Sequence, residues 1–431
     1  MQVERFALTE GGGAGEAAAV AAAVRALAPE PASVAGGVAA IIARVRGEGD
    51  AAVLDLTREH DTRGTEPAPL RVAAHELDVA AAQLRSDVRA GLEVAMANVA
   101  AVAGASLGDD AEILLPQGQR VLVRELPVRR AAVYVPGGRA PYPSTVVMGA
   151  VTARVAGVDE VVVCTPPGPT GDVNPVVLGA CALCGVDEVY RMGGAQAVAA
   201  LAYGTETVTR VDVIVGPGNL WVQEAKVQAC AAVGIDGFAG PSDLLVVADA
   251  GVDARVVALD LLGQAEHGPG SLVVLTSDDA PTLRAVTEQA AALAAERSTV
   301  AFAPLAVVAA PHMDDALAFA NAFAPEHMQL VGQRAEARAG AVRCAGTLLV
   351  GSASGTAFTD YVAGSNHVLP TGGAARFASG LSPRHFRRRM SEVHLGASAA
   401  ALARAGAPVA RAEGFTVHAE SMEARQNGTR V

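Results

Sequence analysis

The sequence is poor in lysine: of its 33 basic residues, only Lys226 is a lysine. The formal net charge is -12. A protein that binds nucleic acid presents a Lys/Arg-dense face to the phosphate backbone, and this composition suggests no such face. We therefore expect no nucleic acid partner.

The sequence also lacks a long apolar run. A membrane-spanning helix needs about eighteen or more apolar residues, and here Arg, Asp, Glu or Gly interrupts every Ala/Val/Leu-rich stretch. The first residues do not have the basic-then-apolar order of a signal peptide. We expect a cytoplasmic protein with no membrane partner.

Three familiar motifs are missing or incomplete. The five cysteines are odd in number, and the Cys181/Cys184 pair has no second CxxC after it, which indicates buried free thiols. No HExxH is present, which excludes the common metalloprotease arrangement. The glycines at 11–15 do not follow an apolar strand, so they are not a dinucleotide fingerprint.

Short β-branched runs alternate with Ala-rich helical segments from Arg130 onward, whereas residues 34–104 have a helical pattern. This alternation is typical of βαβ units in a parallel sheet. The runs form two series, the first at 131–135, 160–164, 188–192 and 211–215 and the second at 243–249, 271–277, 305–310 and 346–351. We predict two incomplete Rossmann-like α/β domains, with a helical extension after about Thr371.

Three unusual loops follow strands of the first series. Tyr134 precedes a Pro-Gly-Gly turn, Gly-Gly-Ala-Gln (193–196) follows the third strand, and Gly-Pro-Gly-Asn (216–219) follows the fourth and opens a helix. Ligands bind at the carboxyl ends of strands in open α/β sheets. A glycine turn that leads into a helix presents free N–H groups to an anion such as a pyrophosphate.

The second series carries ionisable residues in its loops. Gln264 and His267 lie three residues apart at a predicted helix end, a workable spacing for two ligands of one metal ion. We place Glu326 and His327 at the end of another helical run. Further candidates are Asp360 with His367, and Glu413 with His418. A mixed Gln/His/Asp/His set suits zinc better than calcium, but spacing does not show whether these groups converge.

The loops occur in a recognisable order, namely YVPGG, GGAQA, GPGN, AGPSD, GQAEHG, APEHM, TDYVAGSNHVLPTGG and EGFTVH. In this order the chain resembles the histidinol dehydrogenase family from about Val38 to its carboxyl terminus. The resemblance implies one zinc ion per subunit, held by Gln264, His267, Asp360 and His418. It implies that Glu326 and His327 are the catalytic pair.

The same resemblance assigns the remaining site residues. Besides the zinc ligands and the catalytic pair, it implies that Ser242, His367 and Glu413 contact the substrate. It implies that Tyr134, Gln196 and Asn219 contact NAD. Family members are homodimers with shared active sites, so Glu413 and His418 would act in the neighbouring subunit.

The activity implied is the oxidation of L-histidinol to L-histidine through bound L-histidinaldehyde, with two NAD reduced, as the last step of histidine biosynthesis. One alternative is a paralogous zinc- and NAD-dependent dehydrogenase of another polar alcohol or diol. Another is a non-catalytic α/β binding protein, which has no need of Glu326 and His327. The 235–243 loop departs from the usual family version at Gly237 and Phe238, and it has Asp243 where Glu is common.

We expect four parts along the chain. They are an N-terminal helical segment (1–30), an α/β domain with the metal and catalytic residues (31–133 and 242–381), a dinucleotide-contacting α/β domain (134–241), and a helical segment that reaches the partner subunit (382–431).

Overall fold

A computed structural model describes residues 1–28, 34–137, 140–237, 241–268, 270–300 and 303–426. By its internal contacts the chain forms two compact units. The first unit comprises Met1–Ala105 and Arg129–Phe386, and the second comprises Ser106–Val128 and Arg387–Val431.

The strands are β1 (Val3–Ala7), β2 (Ala111–Leu114), β3 (Arg120–Pro127), β4 (Arg130–Tyr134), β5 (Glu160–Thr165), β6 (Glu188–Arg191), β7 (Val213–Val215), β8 (Gly234–Ile235), β9 (Asp243–Ala248), β10 (Leu272–Ser277), β11 (Leu305–Ala309), β12 (His327–Val331), β13 (Thr347–Val350) and β14 (Arg387–His394). The helices are α1 (Gly13–Arg25), α2 (Ala35–Glu48), α3 (Asp50–His60), α4 (Ala74–Gln83), α5 (Ser86–Ala105), α6 (Pro143–Val155), α7 (Pro175–Leu183), α8 (Gly194–Tyr203), α9 (Leu220–Ala229), α10 (Ala254–Ala265), α11 (Ala280–Ala295), α12 (Met313–Phe323), α13 (Gln333–Glu336), α14 (Thr356–Tyr361), α15 (Ala399–Ala412) and α16 (Thr416–Glu423).

The first unit contains two parallel sheets, which confirms the predicted fold class. One has six strands in the order β1-β11-β10-β9-β12-β13, and the other has five in the order β6-β5-β4-β7-β8. Strands β9, β10 and β12 are buried along their whole length. A strand covered on both faces has a continuous apolar run, so β9 and β10 could be found from the sequence.

Helices cover both faces of each sheet. In the six-stranded sheet, α1 and α12 pack on one face, and α10 and α11 pack on the other. In the five-stranded sheet, Ala132 and Tyr134 of β4 point toward α2, α3, α8 and α9. The intervening Val133 lies against Gly149 of α6, on the opposite face. Successive strand residues alternate between faces, so α6 lies across the sheet from α3 and α8.

The N-terminal segment includes a strand that the sequence did not indicate. β1 pairs in parallel with β11 at the edge of the six-stranded sheet. The segment was predicted to be helical, and only α1 within it is a helix. The sequence of β1 is Val-Glu-Arg-Phe-Ala. An edge strand is partly exposed to water and can carry charged residues, so β1 lacks the apolar pattern by which a strand is recognised.

The second unit contains an antiparallel sheet in the order β14-β3-β2, together with α15 and α16, which pack against each other. The prediction that residues 382–431 are helical is therefore wrong for β14. Arg389 of this strand is paired with Glu125 of β3, and Glu392 with Arg124. Most residues of β14 are exposed, so it lacks the apolar alternation by which a strand is recognised.

Two further features concern the compartment. Within the described ranges, α5 is the one helix long and apolar enough to cross a membrane by length and composition. A single helix of this kind is weak support for a membrane span, because helices of soluble proteins pass the same test. All five cysteines are free, and Cys181 and Cys184 are buried.

Candidate active site

The predicted catalytic pair lies at the amino-terminal edge of the six-stranded sheet. His327 is the first residue of β12 and Asp243 is the first residue of the neighbouring strand β9. α10 runs antiparallel to the strands, so its carboxyl end, with Gln264, comes to the same edge.

Two expectations about this pair are therefore wrong. Glu326 and His327 are not at the end of a helical run, because α12 ends at Phe323 and Ala324 turns the chain with a φ of 50°. The pair instead leads into a central strand. The expectation that site residues follow strands also fails for this sheet, since Glu326 and His327 lie at the start of β12.

Glu326 is held by a buried network. Its side chain accepts hydrogen bonds from the Ser242 hydroxyl and, at 3.0 Å, from the Asp243 N–H. The Glu326 N–H donates to Asp243 Oδ1 at 2.7 Å, and Gln264 Nε2 donates to Ser242 Oγ. Burial and the nearby Asp243 charge raise the pKa of Glu326 well above its ordinary value.

Arg25 of α1 takes part in this network, although no sequence motif indicates it. Its guanidinium pairs with Asp243 Oδ2 at 3.1 Å and donates to the carbonyls of Phe323 and Ala324. Burial nevertheless raises the pKa of Asp243. Arg25 stands at the end of an Ala-rich helix with no motif around it, and only the fold brings it to β9.

His327 is buried, and neither ring nitrogen has a hydrogen-bond partner among the described residues. Nδ1 lies 3.8 Å from Glu326 Oε2, and Nε2 lies 4.0 Å from Asp360 Oδ1. Burial, opposed by the Asp360 charge, lowers the pKa of His327 to about 4. The ring is therefore neutral near pH 7 and has a lone pair available to accept a proton.

Three of the predicted metal ligands lie around His327. His267 Nε2 and Asp360 Oδ2 are 3.9 Å apart. Two donors that each bind zinc at about 2.0–2.2 Å lie up to about 4 Å from each other, so this separation fits one shared ion. The Gln264 Oε1 atom is buried and has no hydrogen-bond partner among the residues that the structure describes, which suits a ligand oxygen.

Among the described residues there is no group of three His, Cys, Asp or Glu side chains that could hold a metal ion. The predicted zinc ligands do not include three such side chains within the first unit. One of them is a glutamine, and His418 lies in the second unit.

His367 uses both of its ring nitrogens. Nδ1 lies 2.8 Å from the Asp360 carbonyl oxygen, which can only accept, so Nδ1 carries the hydrogen. Nε2 lies 3.1 Å from Thr145 Oγ1 of α6 and accepts from that hydroxyl. Burial lowers the pKa of His367, which keeps the ring neutral. His367 thus ties α6 to the segment that carries Asp360.

Glu413 and His418 lie in the second unit, at the end of α15 and in α16. Both are exposed. The His418 ring lies against Phe415, with 5.2 Å between the ring centroids. Within this unit neither side chain joins a cluster of potential ligands.

The three predicted NAD contacts line one large cavity, at the carboxyl edge of the five-stranded sheet. Its volume is about 850 Å³, and its walls include Tyr134, Gln196 and Asn219. The helices α7, α8 and α9 all begin at this cavity, and their first turns direct backbone N–H groups toward it. The cavity lies at the strand ends where the sequence predicted a ligand site, and the NAD contacts stay a prediction.

Close packing shapes the loops around the cavity. The Tyr134 hydroxyl accepts a hydrogen bond from the Gly194 N–H at 3.0 Å, and the Asn219 side chain caps α9. A Cβ at Gly216, whose φ is 118°, would lie 2.2 Å from the Tyr134 carbonyl oxygen. Only glycine fits there. Gly138 and Arg139 of the Pro-Gly-Gly turn lie outside the described residues, as do 238–240, including Phe238.

Lys226 and Asp236 hold the Gly-Pro-Gly-Asn loop through its first residue, Gly216. The Lys226 ammonium is fully buried, pairs with Asp236 and donates to the Gly216 carbonyl at 3.0 Å. Asp236 in turn accepts from the Gly216 N–H at 2.7 Å. Both backbone groups of Gly216 are thus bonded to one ion pair.

Comparison with known proteins gives one consistent result. The family model described as histidinol dehydrogenase matches residues 27–426. A histidinol dehydrogenase of Synechococcus sp. is 43% identical over 402 residues, covering 90% of this chain and 91% of that protein. Histidinol dehydrogenases of Ruegeria pomeroyi and Halobacterium salinarum are each 43% identical, over 395 and 396 residues, and cover 90% of this chain and 91% and 92% of their own lengths.

A solved structure agrees with these sequences. The crystal structure of histidinol dehydrogenase from Elizabethkingia anophelis has a TM-score of 0.88 and 28% sequence identity. It covers 100% of this chain and 99% of that one.

Proposed function

The chain belongs to the histidinol dehydrogenase family, and we propose that it oxidises L-histidinol to L-histidine through bound L-histidinaldehyde, the last step of histidine biosynthesis. As a member it is an NAD-dependent oxidoreductase, and each substrate molecule reduces two NAD. The observation that carries the proposal is the buried Glu326–His327 pair, which lies beside the candidate ligands His267 and Asp360.

We propose that Gln264, His267 and Asp360, with His418 of the partner subunit, hold one zinc ion. Support comes from the 3.9 Å separation of His267 Nε2 and Asp360 Oδ2 and from the unpartnered Gln264 Oε1. The metal, when bound, supplies a Lewis-acidic anchor for the nitrogen atoms of the substrate. Ser242, His367 and Glu413 are the further substrate contacts.

In the first oxidation His327 acts as the general base. Its neutral ring accepts the proton of the substrate hydroxyl, while the carbon-bound hydrogen leaves with its electron pair. NAD, when bound in the cavity lined by Tyr134, Gln196 and Asn219, supplies the hydride acceptor. The product of this half is the aldehyde.

In the second oxidation Glu326 and His327 activate water, after His327 has released its first proton to solvent. A raised pKa allows the Glu326 carboxylate to accept a proton, and its hydrogen bonds to Ser242 and Asp243 fix its direction. The water oxygen adds to the aldehyde carbon, and the carbon-bound hydrogen of the resulting hydrate leaves as hydride, for which a second NAD would be the acceptor. His327 removes the hydroxyl proton, and the product is the carboxylate.

The enzyme is proposed to be a cytoplasmic homodimer with shared active sites. The exposed positions of Glu413 and His418 leave both side chains free to enter a partner's site. Five free cysteines suit a reducing compartment.

The test combines activity with metal analysis. The purified protein is assayed for NADH formation with L-histidinol, other amino alcohols and diols, and its zinc is quantified. We expect two NADH per L-histidinol, little turnover of the other alcohols, and one zinc per subunit. A protein that left L-histidinol unchanged in the presence of zinc and NAD would refute the proposal.

A further inference from the structure

Asp61 lines the same cavity as Tyr134, Gln196 and Asn219, yet neither the reaction nor the family motifs use it. It follows the last residue of α3. Its Oδ2 atom is buried and has no hydrogen-bond partner within the described part of the chain. Its backbone N–H donates to the Thr57 carbonyl at 2.9 Å, so the last turn of α3 is closed by the backbone and does not need the Asp61 carboxylate.

A partly buried carboxylate without donors is unfavourable. Burial, opposed by His60, raises the pKa of Asp61 to about 6. His60, Arg63 and Asp172 also line the cavity, but all three are exposed, so water screens their charges. The Asp61 carboxylate lines the cavity and is short of donors, so it is the acceptor that gains most from a ligand hydroxyl.

The position of Asp61 indicates which half of a dinucleotide it meets. α3 packs with α8 on one face of the five-stranded sheet, and α6 lies on the other face. Thr145 of α6 contacts the active-site residue His367. The reacting nicotinamide therefore belongs on the α6 side of the strand ends, and the adenosine half belongs on the side of α3.

The segment after Asp61 comes close to the loop that follows β5. A Cβ at Gly171, in the loop after β5, would lie 3.5 Å from the Ala68 nitrogen. The segment that follows Asp61 thus packs against the loop that forms the adjoining wall.

We propose that Asp61 accepts hydrogen bonds from the ribose hydroxyls of the adenosine half of NAD and thereby makes the enzyme select NAD over NADP. The inference rests on the proposed function, since it assumes that the cavity binds the dinucleotide. A vicinal diol offers two donors to the two oxygens of a carboxylate. A 2′-phosphate removes one donor and brings negative charge against the Asp61 carboxylate.

The experiment measures binding directly, by fluorescence titration of NADH and NADPH and by calorimetry of ADP-ribose. Wild type is compared with Asp61→Asn and with Asp78→Asn, which makes the same charge change at an exposed position of α4. We expect wild type to bind NADH roughly a hundredfold more tightly than NADPH. In D61N, we expect affinity for NADH and ADP-ribose to fall roughly tenfold or more, affinity for NADPH to stay or rise, and D78N to match wild type.

A structural role for Asp61 would give a different result. It would weaken both nucleotides alike or lower the melting temperature, and an unchanged NADH/NADPH ratio in folded D61N overturns the inference. If D61N does not fold, wild type is titrated with NAD that lacks the adenosine 2′-hydroxyl. Equal affinity for this analogue and for NAD also overturns it. The L-histidinol assay on wild type tests the proposed function separately, because these titrations need no substrate.

Discussion

At the scale of single residues, the candidate site consists of side chains that only the fold brings together. Gln264, His267, Glu326, His327 and Asp360 come from separate stretches and lie together at one sheet edge. Their roles stay predictions. Arg25 and Asp61 could not be identified as candidates from sequence motifs, because the importance of each depends on residues that are distant in the sequence.

The role of His327 is tested by replacing it with Asn. The loss of the general base should lower kcat by about a hundredfold or more, while the zinc content stays that of wild type. Steady-state NADH formation and metal analysis give the two values. Full activity in H327N would show that another group takes the proton.

The role of His267 is tested by metal retention. In His267→Asn the ion loses a nitrogen ligand, so zinc affinity should fall by about tenfold or more and the KM for L-histidinol should rise. The matched control is His312→Asn, at the exposed N-cap of α12. H267N that kept its zinc through dialysis against a chelator would remove His267 from the ligand set.

Asp61 should also affect stability in a pH-dependent way. Its pKa is about 6 in the fold, above the ordinary value of 3.8, so the stability it contributes is full below about pH 3.8 and is lost as the pH rises through 6. In Asp61→Asn the side chain cannot ionise, so this pH-dependent loss of stability is absent. We expect the free energy of unfolding of wild type, relative to D61N, to decrease by roughly 1–3 kcal/mol between pH 4 and pH 8.

Urea denaturation at several pH values measures this difference. A difference that did not change with pH would mean that the Asp61 carboxylate is solvated.

At the scale of elements, burial decided which strands the sequence revealed. The eight predicted runs correspond to β4 to β7, β9 to β11 and β13. β1 and β14 were missed because an edge strand and an exposed antiparallel strand carry charges. β12 was missed because its run contains Gln329 and begins with His327, so it lacks a continuous apolar pattern.

The ion pair of α9 is expected to be important for folding. In Lys226→Met the buried Asp236 carboxylate loses its partner, and the free energy of unfolding should fall by about 3–5 kcal/mol. The affinity for NADH should fall as well, because Gly216 loses a bond from Lys226. Urea denaturation and NADH titration measure these effects.

An exposed pair provides the control. Arg85→Met breaks the ion pair with Asp87, whose side chains are 77% and 62% exposed, and should leave the denaturation midpoint of the protein unchanged. Similar midpoints for K226M and R85M would mean that the buried pair contributes no more than a surface pair.

At the scale of the whole molecule, the question is whether active sites are shared. We expect His327→Asn and His418→Ala each to be inactive as homodimers. A mixed dimer has one site with both defects and one site with none, provided that His418 acts in the partner. The purified mixed dimer should therefore have about half of wild-type activity.

The measurement is the activity of the two variants co-expressed with different tags and purified by both. Absence of recovery in a stable mixed dimer would place His418 in its own subunit's site. The sequence alone could not show whether His418 acts in its own subunit or in the partner. The number of residues between Asp360 and His418 is the same in both cases.

The burial of the sole lysine has a practical consequence. Amine-directed reagents usually modify a protein at many surface lysines, which gives mixtures of labelled products. In this chain the one ε-amino group is 0% exposed and ion-paired, so the native protein offers such reagents its α-amino group. A fluorophore or a solid support can thus be coupled at a single point, in a uniform orientation, and uptake of a second label would report that the fold has opened.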